Sequence, residues 1–487
     1  MSIKGKTVRG VIWSAIQNWG SQVGSLIVFF FLARLLEPEA FGLIALANVF
    51  LAFMQVFLEQ GFAQALIQRR EVEPEHLDTA FWTSLVIGIS LTIVGVTTAS
   101  SVAGWFRQPQ LAPILQWLSL LFLLSSLSSV QQAILGRAFA FKAIATRSLI
   151  GTFVGGVCGI ILALRGFGIW SLVGQQLLQE FMGVLVLWRA SHWRPGFKFS
   201  AKHFNDLFGF GVNILGFNFL GFLNNRADDF LIGYFLGSTA LGFYSVAYRV
   251  LTVMTQLLVH TSNQVALPAF SRLQEDSERF RKAFYSATQL TSLIAFPIFL
   301  GVMLLAHELV ISLFGKQWLP SVPVLQILSC VGILRSVTYF KGSIFMALGK
   351  PSWRLWLGVL SAGLNVIGFV IAVRWGIVAV AWAYLIRACI VFPIGQWAVS
   401  KLIQTPLLTY LRQFTAPLFC SLLMAIAILG TKQLLGSFFM PQILLIICGG
   451  IGAIAYILAI RYLAPGLLQQ LLDLARSASD QSNHQRI

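Results

Sequence analysis

The stretch Leu35 to Val49 (LLEPEAFGLIALANV) decides the fold, because a related copy of it occurs 200 residues later. That copy is Phe235 to Arg249 (FLGSTALGFYSVAYR), and the alignment pairs Gly42 with Gly242. Another pair of segments matches at an offset of 210, namely PILQWLS at Pro113 and PVLQILS at Pro323. Parallel repeats of this kind build the two lobes of many secondary transporters. The repeat therefore predicts a carrier with two related halves.

Composition places almost the whole chain in a membrane. Hydrophobic residues make up 57% of it and charged residues only 10%, whereas a soluble domain carries roughly 25% charged residues. Apolar stretches long enough to cross a bilayer core of about 30 Å recur throughout. They predict fourteen transmembrane helices, at about 10–34, 42–68, 79–104, 112–134, 147–164, 168–190, 207–236, 242–267, 283–306, 321–347, 353–373, 376–400, 407–431 and 441–463.

The repeat groups these helices into an all-α polytopic membrane protein with two six-helix lobes. We expect an N-lobe over residues 1–200 (helices 1–6) and a C-lobe over 201–402 (helices 7–12). An extra helical hairpin (helices 13–14) occupies 403–465, and a cytoplasmic tail, partly disordered, occupies 466–487. No loop is long enough for a soluble domain.

The distribution of the net charge of +17 indicates membrane topology rather than nucleic-acid binding. With both termini cytoplasmic, the inner segments hold 23 Lys and Arg, and the outer loops hold only six. Such a bias fixes the orientation of a membrane protein, and basic inner segments attract anionic lipids. We therefore expect a multi-pass protein of the bacterial inner membrane, with membrane lipids as partners and no nucleic acid.

Polar residues recur at helical spacing inside the predicted spans. They form matching seams in helices 1, 2, 7 and 8, and eight are candidates for the lining of a polar cavity: Asn18, Gln22, Asn48, Gln55, Asn218, Asn225, Gln256 and His260. Two interpretations stay open. In the first, the polar side chains form hydrogen bonds between packed helices. In the second, they line a water-filled central cavity that contacts the substrate.

Within the two lobes, cations placed away from the ends of the spans lie only in the C-lobe. They are Arg226, Arg249, Arg335, Lys341 and Arg387. A charge at the bilayer centre costs about 2.5–3.5 kcal/mol on insertion scales, so each needs a partner or a function. Arginine can bind pyrophosphate through two parallel hydrogen bonds, so these five are the candidate substrate-binding residues. On a continuous helix, Lys341 would lie about 120° around from Arg335.

Four carboxylates inside or beside the spans are candidates for ion coupling: Glu59, Glu180, Asp228 and Asp229. Asp229 has two candidate partners, Arg226 at spacing i, i+3 and Arg249 across the hairpin of helices 7 and 8. Glu59 and Glu180 carry a coupling H+ or Na+, or they neutralise a cation of the C-lobe; both alternatives stay open.

The sequence contains no pattern typical of catalysis. It lacks a Ser-His-Asp arrangement, a phosphate-binding Walker loop and a cluster with metal-ligand spacing. We therefore expect a protein that is not an enzyme and has neither metal nor cofactor, apart from a coupling ion, H+ or Na+.

Three segments resemble a known family. The run Gly10–Phe50, the segment Asp228–Val250 (DDFLIGYFLGSTALGFYSVAYRV) and the segment at Leu267 (LPAFSRLQEDSERFRKAF) are similar to Wzx-like polysaccharide flippases. These belong to the multidrug/oligosaccharidyl-lipid/polysaccharide exporter superfamily, and the likeness is nearest to the subgroup for colanic-acid-type exopolysaccharides. The resemblance covers roughly residues 8–460.

The resemblance implies a V-shaped carrier that works by alternating access around a central cavity. Its cargo would be undecaprenyl-pyrophosphate-linked oligosaccharide repeat units, with a polysaccharide polymerase as a further partner. Three other functions stay open: a cation-coupled multidrug exporter of the same superfamily, a membrane-embedded polysaccharide polymerase or glycosyltransferase, and a peptidoglycan-precursor flippase, whose cargo carries the same phosphate group. The excess of basic over acidic residues in the helices disfavours the first, and the lack of a large outer loop disfavours the second.

Overall fold

A computed structural model of the protein describes residues 3–58, 66–67, 72–256, 270–467 and 469. The side chains of residues 3–12, 14–16, 18, 201–215 and 217 lie outside this description. The described residues form helices, with no β-strand among them, so the predicted all-α class is confirmed. Eleven helical segments in this part of the chain are long and apolar enough to cross a membrane. The count of fourteen spans stays a prediction.

The chain divides into two compact units. The first unit consists of Met1–Val246 and Phe369–Ile377, and the second of Ala247–Gly368 and Val378–Ile487. The lobe and hairpin boundaries stated above stay predictions. Most of the predicted tail, 468 and 470–487, lies outside the described residues.

The helices of the first unit follow the apolar runs of the sequence. In the described residues they are α1 (Ile3–Leu35), α2 (Pro38–Leu58), α3 (Pro74–Trp105), α4 (Leu111–Leu118), α5 (Leu120–Arg137), α6 (Phe141–Leu164), α7 (Trp170–Ala190) and most of α8 (Ala201–Thr255). Pro38 and Pro74 stand in first turns, where a missing amide hydrogen costs nothing. After α6 the chain turns at Gly166, whose φ of 82° suits glycine.

Helix α8 contains one non-helical residue, Gly237, with φ 86° and ψ 178°. The predicted helices 7 and 8 meet at this point. A methyl group at Gly42 would collide with the backbone of Ser238, and one at Gly242 with the backbone of Pro38. The two repeat copies therefore touch through the glycines that the alignment paired.

The second unit holds the remaining helices. In the described residues they are α9 (Ser277–Leu304), α10 (Ala306–Leu313), α11 (Val322–Thr338), α12 (Lys341–Ala347), α13 (Pro351–Ala372), α14 (Ile377–Ile403), α15 (Leu407–Arg412), α16 (Thr415–Leu435) and α17 (Pro441–Leu463). Asp276 caps α9 by accepting a hydrogen bond from the amide of Arg279 at 3.0 Å. Tyr456 of α17 donates to the carbonyl of Leu293 in α9, which attaches the last two helices to this unit.

Candidate functional site

Three of the predicted cations come together in the second unit. We name Arg335, Lys341 and Arg387, with Tyr248 and Tyr384, the cation cluster. Arg335 of α11 donates hydrogen bonds to the hydroxyls of Tyr384 and of Tyr248, the latter at 3.4 Å. Its guanidinium carbon also lies 5.4 Å and 5.9 Å from the centroids of those two rings. The two tyrosines therefore orient the Arg335 guanidinium.

Arg387 of α14 lies over the same tyrosine ring. Its guanidinium carbon is 4.5 Å from the centroid of Tyr384, one turn earlier on α14, and its Nη1 donates to the Ser361 hydroxyl at 3.2 Å. An arginine stacked on an aromatic face gains about 0.5–1 kcal/mol, or more where water is excluded. Tyr384 thus connects Arg335 with Arg387.

Lys341 joins the cation cluster from the side of Arg387. The two positive charges repel each other across α12 and α14, and the Lys341 ammonium lies against Gly395, where a larger side chain would collide with it. The predicted span 321–347 lies within one candidate membrane span, Lys316–Ala347, but a turn at Tyr339 and Phe340 interrupts its α-helix between α11 and α12.

No carboxylate neutralises these cations in the described part of the chain. None of the ion pairs found there includes Arg335, Lys341 or Arg387. All three side chains are half-buried, so water does not fully screen their charges. An arrangement of three cations with free hydrogen-bond donors favours a multiply charged anion.

Two contacts fix α11, which carries Arg335. The ring of Phe299 in α9 packs directly on Gly332, where any side chain would collide with it. The Tyr410 hydroxyl of α15 donates to the carbonyl of Val337 at 2.5 Å. Tyr410 itself is fully buried, with its ring stacked 5.4 Å from that of Phe284. Aromatic packing therefore holds the backbone on both sides of Arg335.

The acidic residues of α8 are bound by neighbours in the first unit. Asp229 pairs with Arg226 at 3.1 Å, which is the i, i+3 alternative of the two predicted partners. Asp228 accepts hydrogen bonds from the Tyr244 hydroxyl at 2.9 Å and from the amide of Asp229 at 3.0 Å. Both carboxylates are buried. The hydrogen bond between Tyr244 and Asp228 joins the two sides of the bend at Gly237.

The predicted polar seams are only partly described. Asn48, Gln22, Gln55, Asn218, Gln256 and the cation Arg249 are half-buried, and Asn225 is exposed and bonded to the carbonyl of Gly221. Glu59, His260 and the side chain of Asn18 lie outside the described residues. A common cavity for these residues stays a prediction.

Glu180 has a partner that the sequence analysis did not consider. Arg147 of α6 pairs with it at 2.7 Å and also donates to the Gln132 amide oxygen at 2.5 Å. Of the two alternatives for Glu180, neutralisation by a C-lobe cation is wrong, because an arginine of the first unit forms this pair, and ion coupling stays a prediction. Arg147 is the first residue of the predicted span 147–164, but it lies almost two turns inside α6.

The Arg147–Glu180 pair lines a cavity of about 200 Å³ in the first unit. We name it the neutral cavity, since its two charges cancel. Its polar lining comes from four helices, α1, α5, α6 and α7, and consists of Gln17, Gln132, Arg147, Ser148, Gln179 and Glu180. The Ser148 hydroxyl accepts a hydrogen bond from Ser21 of α1 at 2.9 Å.

Glycines allow α6 and α7 to approach closely at this cavity. Side chains at Gly151 and Gly155 would meet the carbonyls of Gln179 and Gln175 at 2.8 and 2.7 Å. Small residues four apart are typical of tightly packed membrane helices. This spacing is the signal in the sequence that locates the α6–α7 contact. The spacing of Tyr384 and Arg387, three residues apart on one helix, is the corresponding signal for the cation cluster.

A protein-family comparison decides the classification. The family model described as "Polysaccharide biosynthesis protein" matches residues 31–323. The chain belongs to this family.

Relatives of this polysaccharide biosynthesis protein match over almost its whole length. It is 27% identical to the teichuronic acid biosynthesis protein TuaB of Bacillus subtilis, over 98% of this chain and 99% of that protein. It is 29% identical to the succinoglycan biosynthesis transport protein ExoT of Rhizobium meliloti, over 98% and 97%. The predicted resemblance is therefore confirmed.

A solved structure confirms the fold. The lipid II flippase MurJ in an inward closed conformation superimposes with a TM-score of 0.79, covering 94% of this chain and all of MurJ, at 17% sequence identity. The likeness at this identity concerns the fold alone. This polysaccharide biosynthesis protein therefore has a helical membrane-protein fold like that of MurJ.

Proposed function

We propose that this protein is a flippase that moves undecaprenyl-pyrophosphate-linked oligosaccharide repeat units across the bacterial inner membrane by alternating access. It thereby supplies surface polysaccharide biosynthesis and works as a transporter rather than an enzyme. Family membership, the similarity to a succinoglycan transport protein and the fold shared with a lipid II flippase support this function. A polysaccharide polymerase is the partner that would receive the cargo.

The cation cluster is the observation that carries the proposal. Arginine binds two oxygens of a phosphate in parallel, and lysine adds a point charge. Tyr248 and Tyr384 hold the Arg335 guanidinium in place, so less side-chain entropy is lost when an anion binds. A pyrophosphate group would supply the negative charge that the described neighbours of Arg335, Lys341 and Arg387 do not.

A drug exporter is the weaker candidate because of charge. Cationic drugs would be repelled by three unneutralised cations, and like charges brought close together cost several kcal/mol at an interface. Deletion of the gene distinguishes the two functions. The flippase proposal expects loss of surface polysaccharide with unchanged sensitivity to cationic dyes.

We propose H+ or Na+ as the coupling ion, no resident cofactor, and both termini in the cytoplasm. The orientation is supported by the 23 basic residues of the inner segments against six in the outer loops. Coupling is supported by Asp228, which is buried in a segment long enough to span the membrane and forms no ion pair among the described residues. A carboxylate there is costly unless it is paired or binds an ion.

Complementation of a deletion strain tests the function. Wild-type protein and the variants Arg335→Ala, Arg387→Ala and Arg374→Ala are expressed at equal levels, checked by immunoblot of membranes. Arg374 is an exposed arginine in the 3-10 turn after α13 and serves as the matched control. We expect the wild type and the control to restore polysaccharide, while the other two variants accumulate lipid-linked oligosaccharide on the cytoplasmic leaflet. Normal polysaccharide in both cluster variants would contradict the proposal.

A further inference from the structure

The neutral cavity of the first unit is chemically unlike the cation cluster. Among the described residues that line it, the charged groups are Arg147 and Glu180, which are paired with each other at 2.7 Å. A phosphate entering it would meet the Glu180 carboxylate as well as the Arg147 guanidinium. Electrostatics therefore favour an uncharged ligand over an anion or a cation.

The remaining polar lining consists of amides and a hydroxyl. Gln17, Gln132 and Gln179 each offer two N–H donors and a carbonyl acceptor, and Ser148 both donates and accepts. Sugar hydroxyls likewise donate and accept. A single water needs about 10–15 Å³ of such space, so 200 Å³ admits a ligand with several hydroxyl groups.

The cavity has a defined shape because its walls are fixed. Gly183 leaves just enough room for the Arg147 side chain, whose Nε lies 3.0 Å from where a Cβ would stand. Gly151 brings the α7 backbone against α6. A site whose polar groups are positioned in advance discriminates strongly, because a ligand lacking the matching hydroxyls leaves those groups unpaired.

We propose that the neutral cavity binds an uncharged sugar residue of the cargo and thereby selects its oligosaccharide. This inference rests on the proposed flippase function and adds a second subsite to it. The amides of the neutral cavity would hold the sugar. Cargo choice would then depend on the first unit.

Binding measurements on the full-length protein in nanodiscs test this subsite. The two probes are bare undecaprenyl pyrophosphate and the lipid-linked oligosaccharide extracted from host cells in which the gene is deleted. We expect wild-type protein to bind the sugar-bearing probe about tenfold more tightly, equivalent to one or two good hydrogen bonds. Equal affinity for the two probes would overturn the sugar subsite and leave the flippase function standing. Failure of both probes to bind would overturn both.

Variants assign the sugar-dependent gain to the neutral cavity. Gln179→Met keeps the side-chain length and removes the amide, and we expect it to abolish the gain without changing the affinity for the bare probe. Gln176→Met, on the same helix but outside the cavity lining, is the matched control and should keep the gain. A gain that survives in Gln179→Met would contradict the proposal unless the next variant removes it.

A second variant fills the cavity. It tests the subsite even where the other amides of the lining compensate for the loss of the Gln179 amide. Ile144 also lines the cavity, and Ile144→Phe adds volume while removing no polar group. We expect this change to abolish the tenfold gain and leave binding of bare undecaprenyl pyrophosphate intact. Persistence of the gain in both Ile144→Phe and Gln179→Met would overturn the assignment.

Discussion

The cation cluster and the neutral cavity differ in whether a buried arginine is paired with a carboxylate. In the first unit Arg147 has a carboxylate partner at 2.7 Å, and both side chains are about one-fifth exposed, at 19% and 24%. In the second unit Arg335 and Arg387 contact tyrosine rings and hydroxyls instead. Tyrosine orients a guanidinium without cancelling its charge, whereas glutamate cancels it. The difference shows which arginine is available to an anion.

This difference separates stability from binding. Removing one member of a buried ion pair leaves an uncompensated charge in a low-dielectric environment, which is strongly destabilising. Removing a cation that has no carboxylate partner relieves a desolvation cost and takes away only a binding group. The two regions should therefore respond differently to the same kind of substitution.

The largest expected effect is on the stability of the first unit. Glu180→Leu strands the Arg147 charge and should lower the free energy of unfolding by about 2 kcal/mol, at the lower side of values for buried pairs because this one is partly exposed. The double variant Arg147→Leu with Glu180→Leu should recover most of the loss. Thermal unfolding in detergent measures both, and Arg387→Leu should lower the midpoint less than Glu180→Leu does. Equal losses for Glu180→Leu and Arg387→Leu would remove the distinction between the regions.

A smaller effect concerns the geometry of the second unit. Arg335→Lys keeps the positive charge but removes the planar guanidinium. Only the guanidinium can donate to the Tyr384 hydroxyl and to two phosphate oxygens at the same time. We expect binding of undecaprenyl pyrophosphate to weaken about tenfold, or about 1.4 kcal/mol. Titration of the purified protein measures this, with Lys350→Arg as an opposite exchange outside the cluster. Unchanged affinity in Arg335→Lys would mean that charge alone matters.

The smallest effect tests the tyrosines that orient Arg335. Tyr384→Phe retains the ring under Arg387 but removes the hydroxyl that accepts from Arg335. A net hydrogen bond contributes about 1 kcal/mol, so affinity for undecaprenyl pyrophosphate should fall about fivefold. Tyr462→Phe, at an exposed position of α17, is the control. A loss as large as that of Arg387→Ala would indicate a direct role of the hydroxyl in binding.

Much of the fold was predictable because membrane helices can be recognised in a sequence as continuous apolar runs. The break at Gly237 was also predictable, because it falls between the predicted spans 207–236 and 242–267. The contact between the aligned Gly42 and Gly242 was not predicted, because an alignment of repeats pairs equivalent positions and does not say which of them touch.

The site was less predictable, because partners come from helices distant in sequence. Arg335 and Tyr384 are 49 residues apart, and Arg147 and Glu180 are 33 apart. Helical spacing selects the face of one helix but does not give its neighbours. The Arg226–Asp229 pair was predictable for the opposite reason, since both residues lie on one turn. The helix break at Tyr339 and Phe340 was not predictable, because neither residue is a proline or a glycine.

The central claim is that the cation cluster binds pyrophosphate, and one titration tests it most directly. Purified wild-type protein, Arg387→Ala and the Arg147→Leu, Glu180→Leu double variant are titrated with undecaprenyl pyrophosphate in nanodiscs. We predict that Arg387→Ala weakens binding at least tenfold, since a hydrogen bond to a charged group contributes about 1.5–3 kcal/mol, whereas the double variant binds like the wild type. Unchanged affinity in Arg387→Ala, or a loss confined to the double variant, would contradict the account.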